Sequence, residues 1–152
     1  MPKIKVMAIA SGGGHWVQLM RLKPAFNDMD MVYVSVDASL FVDVPEDRLI
    51  TVRDATRKSK WALVVCAAQL ARVIWRERPD VVVTTGAAPG LLALVLAKRL
   101  VGARTIWIDS IANVERLSGA GRLARRFADI WLTQWPHLAT DQAAPEFWGA
   151  VL

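Results

Sequence analysis

The sequence holds a single cysteine, Cys66, and two histidines, His15 and His137. One thiol cannot pair within the chain, so a disulfide framework is excluded and a reducing compartment is the simplest home. Two distant histidines and one cysteine in an apolar run lack the ligand spacing of a metal site, and no metal is expected. A dinucleotide fingerprint is also missing. Trp16 and Val17 stand where the third glycine of G-x-G-x-x-G should be, which argues against a nicotinamide or flavin cofactor; none is expected. Neither a Walker lysine nor a G-x-S-x-G elbow occurs. Long hydrophobic runs are scarce too. The longest uncharged stretch, Val81–Ala97, is broken by Gly86, Pro89 and Gly90, whereas a span needs roughly 20 apolar residues. The chain is therefore not expected to cross a bilayer by itself. The first residues run directly into a strand pattern rather than a signal peptide. Internal repeats and low-complexity tracts are lacking.

What is present is apolar and basic. Hydrophobic residues make up 54% of 152 positions, with seven tryptophans against one tyrosine, ample for one domain over 1–152. That fraction is high for so small a surface, so some apolar area is expected to face a partner or a bilayer. The net charge of +5 suits lipid headgroups, diphosphates or nucleic acid. Nucleic acid is the weakest of these, because the basic residues are not interleaved with aromatics in a recognisable module.

Strand and helix patterns alternate along the chain. Strands are expected at about Lys3–Ala10, Met31–Val36, Leu49–Val52, Asp80–Thr84, Arg104–Asp109 and Ile130–Thr133. Helices are expected over about His15–Asn27, with Val17, Leu19, Met20, Leu22 and Phe26 mostly on one side, then Ser59–Arg78, a helix opened by Pro89, and Arg122–Ala128. A polar stretch, Arg53–Lys60, precedes the long helix, and the text from Gln134 onward reads as an irregular tail. This alternation implies an α/β fold, Rossmann-like and doubly wound, with a mostly parallel sheet.

In such sheets ligands bind beyond the carboxyl ends of the strands. Three loops fall there. The first, Ser11-Gly12-Gly13-Gly14-His15, joins a strand to a helix start, where glycines allow close backbone approach and free N–H groups face an anion. It reads as an anion cradle or as a plain tight turn. The second, Thr84-Thr85-Gly86-Ala87-Ala88-Pro89-Gly90, reads as a second cradle or as close packing. The third, Asp109–Arg116, sets Asp109, Ser110, Asn113 and Glu115 directly after an apolar strand. His15 is the best candidate for chemistry. At a helix N-terminus the dipole disfavours an imidazolium, so the ring is expected to accept a proton or to donate to a phosphate. His137 reads as structural.

The segment Trp61–Trp75 is apolar on nearly every side, with Lys58 and Lys60 before it and Arg76 and Arg78 after. It reads either as a helix buried between the sheet and a neighbour, or as an interfacial helix with Trp61 and Trp75 at headgroup level. Arg122, Arg125 and Arg126 form a second basic cluster, a solvated face or a lipid-phosphate patch.

Together, SGGGHWVQLMRL and the stretch from VVVTTGAAPGLLALVLAKRL through WIDSIANVERLSGAGRLARRFADIWLTQWPHLA resemble the PssD-type polysaccharide-biosynthesis proteins of bacteria. These are related to the membrane-anchored subunit of the eukaryotic dolichol-linked N-acetylglucosaminyltransferase, and correspond to the N-terminal half of a GT-B enzyme. The resemblance implies a split glycosyltransferase. This chain would handle a polyprenyl-diphosphate-linked saccharide acceptor at the cytoplasmic face of the membrane, in exopolysaccharide or capsule synthesis. A small partner subunit would bind the nucleotide-sugar donor. Gly12, Gly13, Gly14 and His15 match the family's first loop, Thr85, Gly86 and Pro89 the second, and Asp109, Ser110, Asn113 and Glu115 the third; His15 would deprotonate or position the attacking hydroxyl. The tail Phe147–Leu152 would meet the donor subunit. Eukaryotic members carry an N-terminal anchor; no such span is expected here, so attachment is expected to rest on the Trp61–Trp75 helix, basic residues or another membrane protein. Two rival readings stand beside this one: a docking scaffold without catalytic residues, and a soluble nucleotide-binding protein.

Overall fold

Val6 to Ala10 are almost wholly shielded from solvent, as a strand covered on both sides must be. The computed structural model describes residues 2–44, 48–55 and 59–151. In it β1 (Lys5–Ile9) lies between β2 (Asp30–Ser35) and β4 (Val81–Thr84), with β3 (Arg48–Thr51) beyond β2. On the other side follow β5 (Arg104–Ile108), β6 (Ile130–Thr133) and β7 (Glu146–Phe147). The order among the described residues is β3-β2-β1-β4-β5-β6-β7, and every pairing is parallel. This is the Rossmann-like, doubly wound sheet expected from the alternation.

Helix α1 (Gly14–Leu22) covers one face. On the other, α2 (Lys60–Glu77), α3 (Ala87–Leu100) and α4 (Gly119–Ala124) share a single core with the sheet. Strand alternation assigns the sides. Met7, Ile9, Val32, Val34, Val82 and Trp107 meet Cys66, Leu70 and Ile74 of α2 and Ala93, Leu94 and Ala97 of α3. Val6, Ala8, Tyr33, Val83 and Ile108 meet Trp16 and Leu19 of α1. Trp16 and Tyr33 pack edge to face, ring centroids 6.0 Å apart.

Several boundaries differ from the sequence reading. The first helix ends at Leu22 and continues as a 3-10 turn, Lys23–Phe26, because Pro24 offers no N–H to an α-helical bond. Val17 is half exposed while Gln18 is buried, so the inward side of α1 is Trp16, Gln18 and Leu19. The helix expected over Arg122–Ala128 runs from Gly119 to Ala124, because Ser118 caps it by accepting from the Gly121 N–H at 2.8 Å. The tail expected to be irregular from Gln134 includes a 3-10 turn at Pro136–Leu138 and the strand β7. Residues 56–58 of the polar stretch, Lys58 among them, and Leu152 of the tail lie outside the described residues.

At the opposite end of the sheet Glu77 is buried and held by Arg48 Nη1 at 2.9 Å, Arg76 Nη2 at 3.0 Å and Lys5 Nζ at 3.6 Å. Burial alone would raise its carboxyl, but the Arg76 hydrogen bond and the charges of Arg48 and Lys5 outweigh it and hold Glu77 below the usual range. A depressed carboxylate contributes stability above its unfolded value, near pH 4–5, and loses it as pH falls through the folded one. Glu77→Gln is therefore expected to cost about 1–3 kcal/mol at neutral pH. In denaturant unfolding, the gap between variant and parent should shrink as the pH is lowered into that window. Cys66 is buried, which with the Asp54 charge pushes its thiol up to about 11. It should resist maleimide in the native chain at neutral pH and react once the chain is unfolded.

Candidate functional site

The chain winds outward from β1 to β3, then crosses back to start β4 on the other side of β1. The carboxyl ends of β1 and β4 thus flank a topological switch point, where open α/β sheets bind ligands. Each of these strands feeds a helix through a glycine held at positive φ: Gly13 at 67° before α1, and Gly86 at 133° before α3. Neither helix start has a side-chain cap or an acidic residue in its first turn. Two sets of first-turn N–H groups are therefore left for solvent or an anion. Ala87 also takes a positive φ of 68°, a strained value for a residue with a side chain. Pro89 falls in the first turn of α3, where its missing N–H is not needed. Gly90 is forced, since a Cβ there would overlap Thr84 Oγ1.

His15 joins the two loops. Its Nδ1 lies 2.9 Å from the Thr85 carbonyl, and Thr85 Oγ1 donates to the His15 carbonyl at 2.6 Å. A carbonyl only accepts, so Nδ1 carries a proton, and in the neutral ring the lone pair is on Nε2. The ring is half-buried and presses on Gly86, where a Cβ would stand 2.7 Å from Cε1. Gly12 borders Asp37 of the β2–β3 connection, and Gly14 has open space above it. The first and second loops are thus one assembly.

The third loop is built differently. Asp109 is 1% exposed, and its oxygens accept from Trp107 Nε1, Asn113 Nδ2, and the Ser118 N–H and hydroxyl, at 2.7–3.1 Å. Ser110 is buried too and accepts from Gln18 Nε2 at 3.1 Å. These two shape the loop from within. Asn113 is partly exposed and Glu115 exposed, around a hollow of about 380 Å³ lined by residues 112–116. His137 braces this loop through Nε2 and the Val114 carbonyl, 2.6 Å apart, which agrees with a structural role.

Two residues that sequence reasoning passed over hold the loops together. Gln18 donates to Gly14 O and Ser110 Oγ and accepts from the Ile111 N–H. Gln134 donates to Gln18 Oε1 at 2.6 Å and to Asp109 O at 3.0 Å, and its own oxygen accepts from the Val151 N–H. Gln134 had a signal, because it directly follows a strand at the carboxyl end of the sheet. Gln18, inside an apolar helix pattern, had none.

The remaining candidates lie elsewhere. Trp61 and Trp75 are on α2, and Arg122, Arg125 and Arg126 are in or just after α4, all exposed. Among the described residues, no helix is long and apolar enough to cross a membrane, and no group of His, Cys, Asp or Glu is placed to hold a metal ion. The tail turns back on the sheet. Trp148–Val151 line an apolar groove of about 290 Å³ with Leu22, Phe26, Val83, Ile106, Ile108 and Leu132.

Residues 25–151 match the family described as "Oligosaccharide biosynthesis protein Alg14 like". The chain belongs to this family. Named relatives of the Alg14-like chain include UDP-N-acetylglucosamine transferase subunit ALG14 of Yarrowia lipolytica, 26% identical over 97% of this chain and 81% of that protein. The protein of the same name from Eremothecium gossypii is 32% identical over 66% of this chain and 46% of its own length. Among solved structures, Acinetobacter baumannii MurG superposes with a TM-score of 0.71 at 13% identity, covering 88% of this chain and 42% of that one. A glycosyltransferase from Rickettsia africae gives 0.67 at 15% identity, covering 97% and 43%. At such identities the likeness is one of fold. The Alg14-like chain spans less than half the length of either structure.

Gly86→Ala should break the His15–Thr85 pairing, and histidine ring NMR should show Nδ1 losing its fixed hydrogen bond. Gln134→Leu leaves the buried Gln18 Oε1 and Asp109 carbonyl without this donor, and a thermal melt should register a loss of about 1–3 kcal/mol.

Proposed function

We propose that this Alg14-like chain is the acceptor-side subunit of a two-part glycosyltransferase. It moves a sugar from a nucleotide-sugar to a polyprenyl-diphosphate-linked saccharide, in exopolysaccharide or capsule synthesis, at the inner face of the cell membrane. The observation that carries the reading is His15 fixed between two uncapped helix starts, with Nε2 free. The two named relatives, both UDP-N-acetylglucosamine transferase subunits, support the division of labour.

In this mechanism the acceptor diphosphate sits against the first-turn N–H groups of α1, from Gly14, and of α3, from Ala87; Gly12, Gly13 and Gly86 let it come close, and neither turn holds a carboxylate to repel it. Thr85 and Pro89 hold the second loop in place, while Asp109 and Ser110 set the third so that Asn113 and Glu115 face the saccharide. Nε2 of His15 takes the proton from the attacking hydroxyl as its oxygen bonds to the anomeric carbon, and the nucleoside diphosphate leaves from the opposite side. The leaving group's charge is met by the partner, which holds the donor. Donation of Nδ1–H to Thr85 O stabilises the imidazolium that forms, as an orienting acceptor does in other histidine-based mechanisms. The partner docks at the tail, where Phe147 and Trp148 are 41% and 65% exposed.

The test is transfer activity of the chain reconstituted with its donor-binding partner. His15→Gln should lower kcat about 10²–10⁴-fold with the acceptor KM little changed. A rise in KM alone would make His15 a binder. Unchanged turnover in a folded variant would make the chain a scaffold whose partner does the chemistry.

A further inference from the structure

Helices α2, α3 and α4 lie side by side on one face of the sheet, and their outward side has an unusual composition. On α2, Trp61, Val64, Ala68 and Trp75 follow at steps of three, four and seven residues, which stacks them in one stripe. The stripe is opposite the buried Cys66, Leu70 and Val73. Trp61, Val64 and Trp75 are 70%, 56% and 57% exposed. The two indoles mark the ends of a line about 21 Å long at 1.5 Å per residue. Leu123 on α4 adds a further exposed apolar side chain.

Around these apolar groups the charge has one sign. Lys60, Arg72, Arg76, Arg78, Arg99, Arg122, Arg125 and Arg126 are exposed on the three helices and the residues directly after them. The one carboxylate in α2, α3 and α4 is Glu77, which is buried under Arg48, Arg76 and Lys5. Lys98 is paired with Asp129. The Arg78 guanidinium sits 4.7 Å from the Trp75 ring centroid, so the terminal indole carries a cation on its face.

We infer that this helical layer is a docking surface for an anionic lipid bilayer. Indole rings partition to the headgroup level, and arginines lay their stems on apolar surface while reaching phosphates. A protein partner would call for a compact apolar centre, whereas here the large apolar groups are separated and cations fill the space between them. The inference rests on the acceptor-side reading and deepens it. With the layer flat on the membrane, the sheet runs parallel to the bilayer and the loops at its carboxyl edge open sideways, about one helix diameter (~10 Å) above the interface. A lipid-linked diphosphate can then approach from the membrane plane.

The test is co-sedimentation of the full chain with vesicles of phosphatidylcholine alone, or with one third replaced by phosphatidylglycerol. Binding to the anionic vesicles is expected, weak binding to the neutral ones, and loss on raising salt. Arg125→Gln with Arg126→Gln should weaken binding about twenty-five-fold, at roughly fivefold per charge. Trp61→Ser with Trp75→Ser should abolish it at unchanged charge. Circular-dichroism melts should stay at the parent value, because all four residues are exposed. Equal binding to both vesicle types, or parental binding by either variant, would overturn the inference. So would a dimer in light scattering that the tryptophan variant converts to monomer. Vesicle binding needs no turnover, so docking can fail while sugar transfer survives, and the reverse.

Discussion

Two buried amides, Gln18 and Gln134, meet at 2.6 Å beneath the carboxyl edge of the sheet, and the first loop, the third loop and the tail are tied together by that contact. Gln18 reaches the first loop at Gly14 O and the third at Ser110 and Ile111; Gln134 reaches Asp109 O and, in the tail, Val151. An amide side chain is suited to this position because it offers both donors and an acceptor without carrying charge into the interior. Buried polar groups left unmet are costly, so a network satisfied in this way holds the loops in one arrangement. The same contact explains why the tail folds back over β4–β6 and closes one side of the apolar groove.

Burial divides the polar groups of the loops into enclosed and open ones. Asp109, Thr85 and Ser110 are enclosed and occupied by protein partners, so they set backbone geometry. The positions left open are Gly13, Gly14, Asn113, Glu115 and the Nε2 edge of His15. The backbone here also turns tightly. The positive φ values at Gly13, Gly86 and Ala87 all fall in the two turns that His15 connects, where tight backbone curvature brings helix starts to the edge of the sheet.

The central strands were legible because a parallel sheet covered on both faces demands continuous apolar runs such as Val81–Val83, and the helices between them because their lengths suit parallel crossovers. The start of α4 was not legible. Its cap, Ser118, is held by Asp109 nine residues earlier, and Gly121 is required by the closeness of that carboxylate. Helix α2 was ambiguous for another reason: apolar residues at both faces of one helix give no periodicity that tells inside from outside. Only the position of the sheet and α3 decides that Cys66 and Leu70 face in and Trp61 and Trp75 face out.

By itself, then, the sequence determined the layer architecture and which loops reach the carboxyl edge, because hydrophobic runs and glycine turns act over a few residues. Tertiary structure decided which polar groups in those loops are structural and which are free. It also decided the tautomer of His15, through a carbonyl seventy residues away in Thr85, and the outward face of α2. These depend on groups distant in sequence meeting in a low-dielectric interior, where a hydrogen bond must be satisfied by whatever partner the fold brings.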